Sequence, residues 1–599
     1  MADKKKIREL LNETLQAYHP FYREDVLKWQ REFDIPDNWF ALNAVRAVEP
    51  NTFKVEEFHH QAPYASIKRQ TERYDALVEA RCLEIDRCGL YRLTEKGRDV
   101  IEGFFRVAHV GMAKTEPLAE DELNQLRSLL ERLVEATLNA PKPAEKPVLQ
   151  DSRWTEPGPD VAPSIAIDQL VTDLSRFRDD AHLAAWRPLG VDGRSWEALT
   201  YIWQEEASSA ADLVEQLAFR GYSEEQYAES LLDLSERGWI GGDEGSYQVT
   251  EDGRRIREQA ERNTDRLYYA PWSVLDDEEL DQLEDLLQST INNLNKMAME
   301  RFWPLAVEVA QAIFPVTRDV VQPAFQEHFK DASIFFPSLM AIGSEPESLS
   351  AQLHGQRFPY NSGDQIELRF KAGVEEGILT STGNGKYRVT AAGKTAVTAV
   401  NNIFYTELGQ SDPLADGEAA ELADLLHRIV EASLEAEEPQ DKWAINNMHN
   451  CHPEKEYQPL ARIDQYLDDL NAFRDDTHNA AWQASEIDGR TREAMTFIWL
   501  GDANSADELA EKLAFRGYSK DDYAHSLTEL EEKSWAVKGQ EGYQITAAGK
   551  EYRQGIEETT NRLFYAPWRS LDGGEQFRLR DLLILLKLGL KALGDSEGS

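Results

Sequence analysis

Cysteine is scarce: Cys82, Cys88 and Cys451 are the three in a chain of 599 residues. Three thiols cannot build a disulfide framework, so a reducing, cytoplasmic setting is expected. Long apolar runs are missing too. No stretch of about 18 apolar residues occurs, which excludes a helical membrane span. The opening "MADKKKIRELLNETLQ" has a basic start with no apolar core behind it, so it reads as a helix and not as a signal peptide. There is no glycine-rich phosphate loop, no G-x-S-x-G elbow and no H-E-x-x-H helix. No enzyme and no cofactor is expected. Positive charge is the last shortage: Lys and Arg number 65 against 108 Asp and Glu, a formal net charge of −43. Such a chain repels phosphate on average, so any DNA contact needs a locally basic face. Otherwise the excess carboxylate serves solubility.

What the chain has in abundance is itself. "LAFRGYS" occurs at Leu217–Ser223 and again at Leu513–Ser519, and adding 296 to a residue number keeps returning the same residue or a close relative. "FRDDAHLAAW" (Phe177–Trp186) becomes "FRDDTHNAAW" (Phe473–Trp482), and "YYAPW" at Tyr268 becomes "FYAPW" at Phe564. The chain is two tandem copies, about 1–296 and 297–599. A weaker repeat lies inside each copy. "YRLTEKGR" at Tyr91, "YQVTEDGR" at Tyr247, "YRVTAAGK" at Tyr387 and "YQITAAGK" at Tyr543 share one pattern, in the order A-B-A-B. Pro and charge collect between the units, which places linkers at 141–164 and 436–460. The expected units are therefore A1 (1–140), B1 (165–296), A2 (297–435) and B2 (461–599).

The first B unit shows the layout most clearly. "WEALTYIW" carries apolar residues at helical spacing. "SSAADLVEQLAF" begins with serines suited to an N-cap and continues as an amphipathic helix. "RGY" is a turn, and "SEEQYAESLLDLSERGW" opens near the capping-box pattern and ends at Gly238. "WIGGDEGSYQVT" alternates around a Gly-rich tip, as a hairpin does. Helix, helix, turn, helix, hairpin is a winged helix-turn-helix. The fold class is mainly α with small β-hairpin wings, in four units.

This layout, the closing "Y-x-h-T-x-x-G-[RK]" strand and the long helix after an acidic stretch ("SVLDDEELDQLEDLLQSTINNL") resemble MarR-type winged-helix regulators. The B units, with "FRDD-x-H-x-AAW … GW … TDR-x-YYAPW", further resemble a bacterial group whose members look like one A-B copy. The resemblance implies a ligand-responsive transcriptional regulator that binds double-stranded DNA and an aromatic small-molecule effector. It also implies dimerisation through terminal helices, which the duplication would supply within one chain as a pseudo-dimer, leaving a monomer or a homodimer. Winged helices also serve as interaction modules, so a DNA-independent small-molecule-binding or protein-interaction scaffold stands as the alternative.

Charge on the third helix tests the DNA reading, because that helix enters the major groove. In B1 it holds Glu224, Glu225, Glu229, Asp233 and Glu236 against Arg237. In B2 it holds Asp521, Asp522, Glu529, Glu531 and Glu532 against Lys520 and Lys533. Both are poor DNA readers. A1 differs: Lys68, Arg69 and Arg73 cluster early, beside Tyr64, Ser66 and Gln70. These six are the candidate DNA-binding residues, against the alternative of an ordinary solvated helix.

The "FRDD-x-H-x-AAW" segment is the candidate ligand site: Arg178, Asp179, His182 and Trp186, with Arg474, Asp475, His478 and Trp482. On a helix the acid, imidazole and indole fall in line, so the carboxylate would fix the His tautomer beside a stacking ring. An internal cluster bracing the helix is the other reading. Asp and His alone lack a third metal ligand. "MHNCHPE" places His449, Cys451, His452 and Glu454 close together, too tightly for all four to reach one ion. It is expected to be a polar linker without metal.

Overall fold

The computed structural model describes residues 3–33, 35, 38–155, 158, 160–243, 245–415, 417–452 and 457–597. The chain divides into two compact bodies, Met1–Ala298 and Met299–Ser599, close to the boundary read from the repeat. Both are mainly helical, and the four hairpin wings lie where the repeated tyrosine motif places them.

In B1 the helices are Gly193–Trp203, Ala210–Gln216 and Glu224–Glu236, followed by strands Ile240–Gly241 and Gln248–Val249 and the long helix Glu251–Tyr269. Ser209 caps the second helix by accepting from the Asp212 N–H. Ser223 and Gln226 form a reciprocal capping box on the third. B2 repeats the order with Gly489–Leu500, Ala506–Lys512, Lys520–Glu532 and the hairpin Ala536–Gly539/Gly542–Ile545. In A1 the third helix is Ile67–Glu79 and the wing is Leu83–Ile85 paired with Tyr91–Leu93. In A2 the third helix is Gly363–Glu375, and its wing gains a third strand, Leu349–Ser350, beside Lys386–Val389.

The fourfold Thr-x-x-Gly motif has one physical cause. Each threonine caps the helix after the wing: Thr94, Thr250, Thr390 and Thr546 accept from the N–H of Gly97, Gly253, Gly393 and Gly549 at 3.0 Å. Each glycine admits the carbonyl of the residue that opens the wing. A Cβ on Gly253 would lie 1.9 Å from the Trp239 carbonyl oxygen, and one on Gly97 would lie 1.9 Å from that of Cys82. Gly253→Ala should therefore destabilise B1 by about 1–3 kcal/mol, the usual cost of overpacking, read as a lower denaturation midpoint for that unit.

The linker expectation is corrected at both junctions. Pro147–Ser152 and Trp443–Cys451 are helices, with Leu149 and Ile445 fully buried. Each is capped from a distance by the second aspartate of the FRDD motif. Asp180 accepts the N–H groups of Val148 and Leu149 at 3.1 and 2.9 Å. Asp476 accepts those of Ala444 and Ile445 at 3.0 and 2.9 Å. The A and B units of the first copy also share a core, in which Leu126, Leu130 and Leu133 pack with Leu174, Phe177, Leu283 and Leu287. The boundaries at 140 and 165 therefore mark a change of motif, while the hydrophobic core runs through them.

Candidate functional site at the seam between paired winged helices

"LAFRGYS" is the docking element between an A unit and its B unit. Its first half forms a short 3-10 turn, Ala218–Arg220 or Ala514–Arg516. The arginine is clamped by a carboxylate on the first B helix. Arg220 meets Glu197 through Nε and Nη2 at 3.2, 3.1 and 2.6 Å, and Arg516 meets Glu493 at 3.2, 3.2 and 2.8 Å. Held this way, its backbone carbonyl accepts the N–H of the serine that caps the A unit's third helix. The bonds Ser66 to Arg220 and Ser362 to Arg516 are both 2.9 Å. The guanidinium lies over the ring of the residue two before that serine, 5.6 Å from Tyr64 and 5.5 Å from Tyr360. Gly221 and Gly517 follow with φ of +74° and +79°. A Cβ on Gly221 would stand 2.6 Å from the Arg69 Cβ, and one on Gly517 would stand 2.1 Å from the Gln365 Cγ. Only glycine fits both the backbone and the gap.

The six candidate DNA residues fall on both sides of this seam. Tyr64 is half-buried, its hydroxyl pushed up to about 12 by burial. Ser66 and Gln70 are buried, with the Gln70 Nε2 donating to the Ala62 carbonyl at 2.9 Å. Arg73 turns toward the Phe219 carbonyl at 3.4 Å. Lys68 and Arg69 face solvent, and both pair with Glu72, at 3.9 and 3.5 Å. The basic cluster in the sequence is therefore divided: part is spent on the B unit and part is offset on its own helix. The B third helices carry carboxylates in their first turns, and Asp522 and Glu225 are held below the usual carboxylate range by hydrogen bonds to their capping serines.

The FRDD segments form long helices, Pro163–Trp186 and Pro459–Trp482. Their His is not paired with the preceding Asp. The His182 Nδ1 lies 3.3 Å from Thr264 Oγ1, whose own proton goes to the Ala260 carbonyl, so the imidazole must donate there. Its Nε2 accepts from the Trp196 indole at 3.3 Å. His478 repeats this with Thr560 at 3.3 Å and the Trp482 indole at 2.9 Å. Burial holds both His near 4, so both are neutral and locked in one tautomer. The carboxylates at hand are Glu261 and Glu557, held by Arg257 and Arg553. Trp186 and Trp482 are core residues, and Arg178 and Arg474 reach Glu261 and Glu557 at 3.6 Å in both copies. Of the eight candidate ligand residues, six brace this helix against Glu251–Tyr269 or Ala547–Tyr565 or fill the core around it. Only the Asp179/Asp475 position looks elsewhere.

In the second copy Asp475 looks into a cavity of about 430 Å³, lined also by Phe336, His354, Arg357, Tyr360, Arg369 and Asp468. Arg357 is 5% exposed and donates from Nε to Asp475 at 3.1 Å, while its Nη1 has no partner. His354 is 2% exposed, and neither ring nitrogen has a partner among the described residues. Burial and the nearby arginines hold it near 4, so it stays neutral. Desolvation, eased by Arg357, pushes the Asp475 carboxyl up to about 6. His354, Arg357, Arg369 and Asp468 were not singled out from the sequence. The signal was faint: the first copy holds Phe58, Gln61 and Thr172 in place of His354, Arg357 and Asp468, but all of residues 55–62 differ from 351–358, so the first two changes do not stand out.

Of "MHNCHPE", expected to be a polar linker, Met448–Cys451 end the helix Trp443–Cys451 and His452 follows as its cap. His449 and His452 both face the buried Asp469, at 2.9 and 3.3 Å. Cys451 is turned into the core toward the Leu339 carbonyl, its thiol pushed up to about 12 by burial. Glu454 lies outside the described residues. Among the described residues no group of three or more His, Cys, Asp or Glu could hold a metal ion, and no helix is long and apolar enough to cross a membrane.

Four winged units, docked in A-B pairs through a repeated turn, define a tandemly duplicated helix-turn-helix protein. The chain matches the model of a helix-turn-helix family at residues 98–300 and again at 381–588, more than half its length, and it belongs to that family. No curated protein and no solved structure matches it. The first matched stretch contains all of B1 and the second contains B2 as far as residue 588, and both begin beyond the third helix of the A unit.

Proposed function

We propose that the protein is a DNA-independent binding scaffold built from winged helices. The observation that carries this is the seam: in both copies the N-terminus of the A third helix, where a DNA reader begins, is covered by the B-unit turn. The B third helices, which lie within the family match, present carboxylates at the same position. A net charge of −43 works against counterion release on a duplex, and the outward Lys68 and Arg69 are each paired with Glu72. The two seams repeat almost atom for atom, as a scaffold with a fixed joint in each copy would.

A second reading is favoured by the helix-turn-helix family itself and by the exposure of Lys68 and Arg69. It is a MarR-like, ligand-responsive regulator that touches DNA through A1. The two readings separate in one experiment, fluorescence anisotropy of the full chain with mixed duplex fragments at low salt. The scaffold reading expects no retention. Retention that falls steeply with salt, and that disappears in the triple variant Lys68→Glu, Arg69→Glu, Arg73→Glu, would establish the regulator instead.

A further inference from the structure

The cavity of the second copy differs from the corresponding place in the first in a patterned way. Tyr64, Arg73, Asp179 and Arg220 have direct counterparts in Tyr360, Arg369, Asp475 and Arg516, which are the residues of the seam. The changes fall on the rest of the lining. Phe58 becomes His354, Gln61 becomes Arg357 and Thr172 becomes Asp468, so an apolar position gains an imidazole and two neutral polar positions gain a charge, while Ser175 becomes the equally polar Asn471. Burying such groups costs stability unless something pairs with them. Arg516 is committed to Glu493, and the Nε of Arg357 to Asp475. That leaves the buried Nη1 of Arg357 and both nitrogens of His354 unpaired. Arg369 and Asp468 stand on opposite elements of the lining, and Asp468 lies in the field of Arg357 and His452.

The charged groups of the lining carry both signs. A simple anion would meet Arg369 but would sit against Asp468 and Asp475. A simple cation would meet the carboxylates but would sit against three arginines. A divalent metal is disfavoured by the same arginines. The apolar part of the wall, Phe336, Phe358 and Tyr360, has room for a flat or branched hydrocarbon body.

We propose that this cavity binds one small zwitterion per chain, an amino acid with an apolar body. Its carboxylate lies against Arg357 and Arg369, and its ammonium against Asp468 and Asp475. The proposal rests on the binding-scaffold reading and names its ligand class. The first copy, lacking the His, Arg and Asp, does not share the site.

Isothermal titration of the full chain tests it with L-phenylalanine, L-leucine, 3-phenylpropanoate and 2-phenylethylamine. The expected result is one amino acid bound per chain, with each half-ligand at least about tenfold weaker. Arg369→Ala and Asp468→Asn should each weaken amino-acid binding by about tenfold or more. Both side chains are partly exposed and leave the core intact, which circular dichroism would verify. Arg73→Ala, the matching change in the first copy, should leave the affinity unaltered. No heat with either amino acid would overturn the proposal, as would a half-ligand as tight as its parent or an equal loss in Arg73→Ala. If no amino acid binds and DNA is still not retained, only the ligand assignment falls. If DNA is retained with the salt slope described above, the scaffold reading falls whatever the titration shows.

Discussion

Asp476→Ala should destabilise the second copy by roughly 2–5 kcal/mol, because it strands two buried backbone N–H groups at once. The Ala444 and Ile445 amides have the Asp476 carboxylate as their acceptor, and both residues are almost wholly buried, so water cannot replace the lost bonds. The Trp443–Cys451 helix is nine residues long, too short to persist without its cap and its packing. Hydrogen exchange should show that helix opening well before the core around Phe473. Asp180→Ala should do the same to Pro147–Ser152 in the first copy. The pH dependence has a definite sign. Burial pushes Asp476 up to about 7 and Asp180 up to about 6, above the unfolded carboxylate value near 4. Between those limits the folded state binds more protons than the unfolded state, so this contribution is full below about pH 4 and is lost as pH rises through 6 to 7. The Asn variants, which cannot ionise, should lack that slope in denaturation measured from pH 4 to 8.

The second aspartate of FRDD shows where sequence reasoning stops. The duplication, the winged layout and the acidity of the B third helices were all legible, because each is a local pattern or a property of a repeat at fixed offset. The role of Asp180 was not. It caps a helix that begins about thirty residues earlier, in a stretch whose Pro and Lys content reads as linker. On the A1 third helix the sequence showed the cluster of basic residues but not their direction: Gln70 and Ser66 point inward, while Glu72 offsets the two basic residues that point outward. His182 lies on the same helix as Asp179, yet its partners come from two other helices, Trp196 on one and Thr264 on the other, and its carboxylate neighbour is Glu261. The cavity is marked in the sequence only by differences between the copies, and these fall in a stretch, 351–358, that shares no residue with 55–62.

Gly517→Val should open the seam of the second copy and abolish whatever its cavity binds. The backbone at 517 has φ of +79°, which costs a β-branched residue about 1–2 kcal/mol before any contact is counted. The new side chain would also meet the Gln365 Cγ at 2.1 Å and the Ser362 Oγ at 2.7 Å, and Ser362 is the cap of a helix whose N–H is bonded to the neighbouring Arg516 carbonyl. Overpacking adds about 1–3 kcal/mol, and the strain has an obvious outlet, because the turn can lift away from the A unit. Arg516 would then leave the Tyr360 ring, and the cavity wall that Tyr360 and Arg516 share would come apart. The expected readouts are faster proteolysis near residues 357–363 and 514–520, loss of amino-acid binding, and a far-ultraviolet spectrum close to that of the parent. Gly221→Val provides the counterpart in the first copy. It should loosen the seam around Ser66 and Tyr64 to a similar degree and leave ligand affinity unchanged. It also uncovers the start of the A1 third helix, so it is the variant in which hidden DNA binding would surface. With Lys68 and Arg69 still paired to Glu72 on the same helix, anisotropy with duplex DNA is expected to stay flat. A gain in DNA retention by Gly221→Val would mean that the seam is a gate over a working DNA reader and not the permanent joint of a scaffold.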